Sequence, residues 1–233
     1  MSTVAIAIIC KTPAASRSKT RLSPPLSPEQ CAALSACFIR DVSAAVQRLA
    51  DGGSVSGYAV YTPPGTQDAL RPLLPAGFTL LPQGEGDLGA RMLKAVTDLL
   101  TRGHDGAVLI GADMPTLPPS ILRAAVDAVR RNDCVALGPA LDGGYTLIGL
   151  ARPHGGLFAK MPWGTDAVYR LTLERAHELA LPVVALPAWY DVDDASSLAM
   201  LKGELRGQRP AFADPGLIAG AAPATREFLR TLP

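Results

Sequence analysis

V-L-I-G-A-D-M-P, residues Val108 to Pro115, reads as a buried strand that opens into a turn and presents a lone carboxylate, Asp113, at its end. An aliphatic run without polar alternation marks a strand covered on both faces, the kind found in a parallel sheet between two helix layers. Nothing about folding requires the strand to finish in Ala-Asp-Met-Pro. Taken alone, Asp113 is accounted for as a turn residue or a helix N-cap. A larger role depends on what the other strand ends carry.

The strand is flanked by two helical stripes. Leu88, Met92, Ala95, Val96 and Leu99 precede it, and Ile121, Leu122, Ala125, Val126 and Val129 follow on a helix from about Pro119 to Arg131. Val4 to Cys10 reads as a first buried strand. Ser27-Pro28-Glu29-Gln30 then opens a helix with a capping box, and Cys31, Leu34, Phe38, Val42, Ala45 and Leu49 form its stripe. Further strands are expected at Tyr58–Tyr61, Phe78–Leu81, Cys134–Leu137 and Val183–Leu186, with a weak helix up to Leu74. Ala140 to Leu150 reads as a turn feeding a second strand directly. Helices are expected after Met161–Asp166 to about Leu179, and over Ala195–Leu205. This alternation predicts a single-domain α/β fold over residues 1–205, with a doubly wound, mostly parallel (mixed) sheet. Residues 206–233 form a tail with a short helix at Thr225–Leu232, packing on the same domain.

The bulk properties exclude several classes. A chain of 233 residues suits one large α/β domain, and shares of 48% hydrophobic and 18% charged residues are those of a globular core. The net charge of +1 leaves no basic field for nucleic acid. Cys10, Cys31, Cys37 and Cys134 lie in strand or helix patterns without C-x-x-C, so reduced core thiols are expected, not disulfides or zinc ligands. The N-terminal apolar run is too short to span a bilayer and lacks the marks of a signal peptide, which points to a cytoplasmic protein.

Ligands of doubly wound sheets bind beyond the carboxyl ends of the strands, and several polar oddities fall there. Arg17, Lys19 and Arg21 alternate in a long loop after the first strand; in an extended loop they would point the same way and converge on a polyphosphate. A solvated loop with scattered charge is the alternative; the position straight after the first strand, where nucleotide sites of α/β sheets sit, favours phosphate binding. Neither a dinucleotide fingerprint nor a P-loop occurs. Gln83-Gly84-Glu85-Gly86-Asp87 is a glycine turn into a helix; Gln83 has the donor and acceptor for a nucleobase edge, and the glycines would let backbone approach a flat ligand. Asp113, Asp191 and Asp193 are candidate metal ligands, with Asp194 capping the helix that follows. Asp142-Gly143-Gly144-Tyr145 and Pro162-Trp163-Gly164-Thr165 either wall an acceptor pocket or serve as a tight turn and a helix cap. His104, His154 and His177 form no nucleophile–His–acid pattern.

As an ordered set, K-T-R-L-S-P from Lys19, Q-G-E-G-D-L-G-A-R-M from Gln83, L-I-G-A-D-M-P from Leu109, D-G-G-Y-T-L-I-G from Asp142 and D-V-D-D-A-S-S-L from Asp191 resemble the DUF2064 family. That family belongs to the GT-A (nucleotide-diphospho-sugar transferase) superfamily, and the resemblance covers about Val4 to Leu201. The layout is also similar to the molybdenum-cofactor and phospholactate guanylyltransferases, the second being closer in its basic loop. The resemblance implies that Asp113 and Asp193, with Asp191 beside it, hold Mg²⁺ (or Mn²⁺). It implies that Lys19 and Arg21 hold phosphates, Gln83 and Gly84 the base, and Asp142 to Tyr145 the acceptor. Asp-Ala-Ser-Ser stands where related enzymes have Thr-Pro-Glu-Asp, which leaves the second ligand open among Asp191, Asp193 and Asp194. Gly164 replaces an expected Ser.

The expectation is therefore a Mg²⁺-dependent nucleotidyltransferase joining an NTP to a phosphorylated small molecule, with Lys19, Arg21 and Asp113 catalytic and pyrophosphate released. A glycosyltransferase using a nucleotide-diphospho-sugar, or a nucleotide-binding protein without turnover, are the alternatives. The partners expected are a nucleotide and a small acceptor, with neither nucleic acid nor membrane, and a homodimer is left open.

Overall fold

The computed structural model describes residues 3–232. Strands β1 (Val4–Lys11), β2 (Val55–Thr62), β3 (Thr79–Pro82), β4 (Gly106–Gly111), β5 (Val135–Pro139), β6 (Tyr145–Leu150) and β7 (Val183–Ala185) form one sheet in the order β3-β2-β1-β4-β6-β5-β7. The helices are α1 (Pro28–Ala50), α2 (Gln67–Leu70), α3 (Leu88–Thr101), α4 (Pro119–Arg131), α5 (Val168–Glu178), α6 (Ala195–Leu205) and α7 (Pro223–Arg230). The expected mixed, doubly wound α/β sheet is what forms. β2 runs beyond the expected Tyr58–Tyr61 because it pairs with β1 along its whole length, from Val4↔Val55 to Lys11↔Thr62.

Alternation within β1 shows how the layers divide. Ile6 and Ile8 pack with Leu34 and Phe38 of α1 and with Ile121 and Leu122 of α4. Ala5 and Ala7 face the opposite layer, with Met92 and Val96 of α3. Both faces are dry, so the strand has no polar face to show.

Chain order decides where a site can form. β1 leads outward to β2 and β3; the chain then returns to β4 on the other side of β1, with both pairings of β1 parallel. The direction of winding therefore reverses between β1 and β4, and the crevice of such a sheet opens there. Ile9 lies opposite Gly111 across this seam, so the loop after β1 and Asp113 after β4 emerge side by side. β6 is antiparallel to both β4 and β5. The five-residue link Ala140–Gly144 is too short for a crossover helix and can only make a hairpin. Its turn, like the loops after β1 and β4, faces the crevice.

Helix ends follow local chemistry. Ser27 accepts from the Gln30 amide at 3.2 Å, and the Gln30 side chain accepts from the Ser27 amide at 2.8 Å, the reciprocal cap expected for α1. α7 starts earlier than the expected Thr225, at Pro223, because its first turn is capped from outside. Asp41, buried in the middle of α1, accepts from the amides of Ala224 at 2.9 Å and Thr225 at 2.8 Å. A carboxylate at a helix N-terminus satisfies orphan donors and meets the positive end of the dipole. One side chain of α1 thus fixes the tail.

Asp41→Ala is expected to lower the unfolding free energy by about 2 kcal/mol, read by denaturant titration, and to speed amide exchange across residues 223–230. Unchanged exchange in α7 would show that the tail is held by apolar packing alone.

Candidate functional site

The loop after β1 is folded, not extended. Ser18 accepts from the Ala14 amide at 3.1 Å, Lys11 Nζ donates to the Arg17 carbonyl at 3.0 Å, and a 3₁₀ turn over Thr20–Leu22 buries Leu22. Lys19 precedes that turn in the left-handed region, φ 50° and ψ 40°. This backbone sends its side chain inward, where it is only 6% exposed. Its ammonium lies 2.7 Å from Asp113 Oδ2 and 2.6 Å from Asp193 Oδ1, and 5.8 Å from the centroid of the Phe38 ring. The Val192 amide donates to the Asp113 carbonyl at 3.0 Å, so the two acid-bearing segments are tied by backbone as well.

A buried ammonium survives only with counter-charge around it, and the titration behaviour follows from that. Burial alone would lower Lys19, but Asp113 and Asp193 more than reverse this and hold it above the ordinary lysine range. Burial pushes the Asp113 carboxyl up, and Lys19 offsets this only in part. Asp193 is also desolvated, yet its ion pair and hydrogen bond with Lys19 keep it below the usual carboxylate range. Asp191 lacks a cation; burial, then repulsion from Asp193 and Asp142, pushes it up to about 7. Asp193 is therefore the carboxylate that shares a cation with Asp113, and Asp191 stands behind them. Asp194 caps α6, accepting from the Ser197 amide at 2.8 Å.

Asp113 stands where cavities meet. A cleft of about 340 Å³ is lined by Lys11, Arg17, Lys19, Arg21, Asp113 and Asp193 among others. A second cavity, of about 260 Å³, includes Asp113 but is walled by Met92, Tyr145, Trp163, Val168 and Thr165, with no Lys or Arg. Asp191 lies in a small recess of about 120 Å³ with Asp113 and Asp142. One side of Asp113 is thus cationic and the other largely apolar.

Several expected residues are placed differently from the sequence reading. Arg17, Lys19 and Arg21 do border one cleft, but by a turn and not by alternation in extended chain: Arg17 and Arg21 are exposed and Lys19 lies deep, held by carboxylates. Gln83 is buried, and its amide nitrogen donates to the carbonyls of Cys10 at 3.1 Å and Val60 at 3.2 Å. Its oxygen faces the Arg91 guanidinium at 3.4 Å. That side chain ties the ends of β1 and β2 together, so the expectation that it reads a base edge fails. Asp87 caps α3 by accepting from the Ala90 amide at 2.8 Å, and Gly84 and Gly86 supply the positive φ of the turn before it. None of Gln83, Gly84, Gly86 or Asp87 lines either cavity at Asp113.

The residues expected at the acceptor do assemble. Asp142 accepts from the Gly144 amide at 2.9 Å, and Gly143 has φ 86° with the Asp166 carbonyl where a Cβ would stand. Any side chain there would push the turn off the segment leading into α5. Tyr145 donates to Met92 Sδ at 3.5 Å and meets Trp163 edge-on at 6.3 Å. The Trp163 indole nitrogen is buried without a protein partner. Thr165 bonds the Pro162 carbonyl at 2.8 Å and does not cap α5. Lys11 also borders the basic cleft, unforeseen from the sequence, where its signal is a cation on the last residue of an otherwise aliphatic strand. His104 bonds Thr3 and Tyr58, and His154 pairs with Asp133, both outside the cavities at Asp113.

Among the described residues, no group of three or more His, Cys, Asp or Glu side chains is gathered as a ready-made metal cage. Asp113 and Asp193 nonetheless converge on one cation, the Lys19 ammonium, and are the two carboxylates that could hold a divalent ion in its place. Two carboxylates completed by substrate oxygens and water suit Mg²⁺.

The family described as "Uncharacterized protein conserved in bacteria (DUF2064)" matches residues 45–165, a span holding Asp113, Asp142 and Trp163. The 2-phospho-L-lactate guanylyltransferase of Methanothermobacter thermautotrophicus is 27% identical over 218 residues, covering 92% of this chain and 85% of its own. A protein of Desulfovibrio desulfuricans G20, assigned to the nucleotide-diphospho-sugar transferases, superposes with a TM-score of 0.84 at 28% identity, over 99% of this chain and 95% of its own. CMP:2-keto-3-deoxy-manno-octonic acid synthetase, solved with CTP, gives a TM-score of 0.57 at 12% identity, over 88% of this chain and 99% of its own; it shares the fold. With more than half of its length matched, and with the mixed sheet of the nucleotide-diphospho-sugar transferases, the chain belongs to the DUF2064 family.

Proposed function

We propose that the protein is a divalent-metal-dependent nucleotidyltransferase that joins an NTP to a phosphorylated small molecule. The observation that carries this reading is the pair of unlike cavities meeting at Asp113, one cationic and one largely apolar. The resemblance to a guanylyltransferase over most of both chains supports the reaction class. In the reaction, an acceptor phosphate oxygen bonds to the α-phosphorus as the α–β bridging P–O bond breaks, and the electron pair leaves with pyrophosphate. An acceptor that is already a phosphate anion needs no general base.

Asp113 and Asp193 are the residues that would hold Mg²⁺ or Mn²⁺, with Asp191 behind them. When bound, that ion supplies Lewis-acid polarisation and counter-charge at the phosphates. With their own charge so compensated, the two carboxylates would release Lys19 toward the cleft. Lys19, Arg21, Arg17 and Lys11 then offset the triphosphate, and fixed charge in a partly dry site favours the charge-separating transition state. Trp163, Tyr145 and Thr165 would hold an uncharged acceptor body, with Asp142, Gly143 and Gly144 shaping the turn above it. Because that cavity has no cation, the acceptor's phosphate must reach across Asp113 to the basic side. Backbone at Gly84 and Gly86, not the Gln83 side chain, is left to meet the base.

A nucleotide-sugar donor is the second reading, favoured by the assignment of the Desulfovibrio protein. Product analysis separates the two. With an NTP panel, Mg²⁺ and phosphorylated acceptors, pyrophosphate should appear only when both substrates are present; nucleoside diphosphate from a nucleotide sugar would replace the first reading by the second.

Asp113→Asn is expected to abolish Mg²⁺-dependent NTP binding with an unchanged circular dichroism spectrum, whereas unaltered calorimetric affinity would sink the metal assignment. Lys19→Met should weaken NTP binding about tenfold or more and nucleoside binding little, since a charge-assisted contact is lost. It should also make Mg²⁺ raise the melting temperature more than in the native protein, because ammonium and metal compete for the same carboxylates. An equal Mg²⁺ effect in both proteins would refute that competition.

A further inference from the structure

At the amino ends of the parallel strands, away from the crevice, a cavity of about 290 Å³ lies between the C-terminal end of α1 and the flank of α4 that carries Arg123, Asp127 and Arg130. Arg48, Arg123 and Arg130 border it, with Ser54 at its floor and Asp127 as its single carboxylate. It shares no lining residue with either cavity at Asp113. Among the described residues none of the three arginines is ion-paired, and neither is Asp127. Arg130 donates through Nη2 to the Ser54 carbonyl at 2.9 Å, which fixes its fork; its Nε is buried and has no protein partner.

Arginine in the last turn of a helix complements the dipole, and that accounts for Arg48 on α1 and for Arg130 on α4. It does not account for Arg123, which sits in the second turn of α4 and faces the same cavity. Three guanidiniums against one unpaired carboxylate leave a cationic recess, and guanidinium forks match the oxygens of phosphate. The volume is at the small end for ligand pockets, so the guest must be compact.

We propose that this recess is a second anion site, which binds a small phosphate-bearing anion remote from the reaction centre. Arg130 grips it from the wall while Arg123 and Arg48 close over it from the two helices. The shared chemistry is a phosphate group, whether free orthophosphate or the head of a small phosphomonoester.

The test is a titration of ¹⁵N-labelled protein with inorganic phosphate, and separately with glycerol phosphate, at constant ionic strength set by chloride. The expected result is a saturable shift of the amides of residues 52–55 and 127–130, distinct from any shift at residues 17–21. In Arg123→Gln, whose side chain is exposed, the shifts at 52–55 and 127–130 should require about tenfold more phosphate, while those at 17–21 keep their midpoint. Arg130→Gln should abolish them. A lower midpoint for glycerol phosphate than for phosphate would identify an organic ester as the guest, and equal midpoints the free ion. Absence of the shifts in native protein, their reproduction by chloride alone, or an unchanged midpoint in Arg123→Gln would overturn the proposal. Loss of binding at 17–21 without loss here would strike the proposed catalytic reading and leave this site standing.

Discussion

The Lys19 ammonium between Asp113 and Asp193 is the interaction on which the site depends. It joins residues from the start, middle and end of the folded domain, with Lys19 and Asp193 separated by 174 positions in sequence. Such a contact is not a large net source of stability, because desolvating three charges offsets most of their attraction. Its consequence is geometric. A nearly buried lysine can be tolerated at this place only if both acids come to it, so the loop after β1, the end of β4 and the turn before α6 are brought to a common point. The two carboxylates are thereby kept at cation-sharing distance.

The sheet's order makes that convergence possible. Had β4 followed β3 on the same side, Asp113 would lie far from the basic loop; the return across β1 puts the two loops next to each other. The β5–β6 hairpin then adds something a crossover could not. Its turn lies at the same end as Asp113, and Tyr145 at the start of β6 faces Met92 and Trp163. One wall of the crevice is therefore basic loop and the other aromatic, because parallel winding supplies the first and the reversed strand the second.

Much of this was legible in the residues. Aliphatic runs such as Val4–Cys10 and Val108–Ile110 have one good solution, a strand dry on both faces, and Ser27 and Asp194 cap the helices that follow them. Asp113 alone passes for a turn residue; it stands out because the basic loop, the glycine turn and the Asp191–Asp194 cluster fall at comparable strand ends. Gln83 is ambiguous in sequence, because a glutamine before glycines looks the same whether it faces a base or two backbone carbonyls. Only the spacing of β1 and β2 turns it inward. Asp41 gave no signal at all: within a helical stripe it resembles any surface acid until α7 arrives to be capped.

What the sequence determined by itself was therefore the set of elements, their alternation and the chemical character of each strand end, because periodicity, capping and turn residues act over a few positions. The tertiary structure alone decided which cation meets which acid: that Lys19 is sunk while Arg17 and Arg21 remain at the rim, and that Asp193 pairs where Asp191 does not. The physical reason is range. Local backbone preferences are written in neighbouring residues, but burial and charge compensation belong to groups that only the closed fold brings within a few ångströms, and at Val108–Pro115 the carboxylate acquires its meaning from Lys19, 94 residues before it, and from Asp193, 80 residues after it.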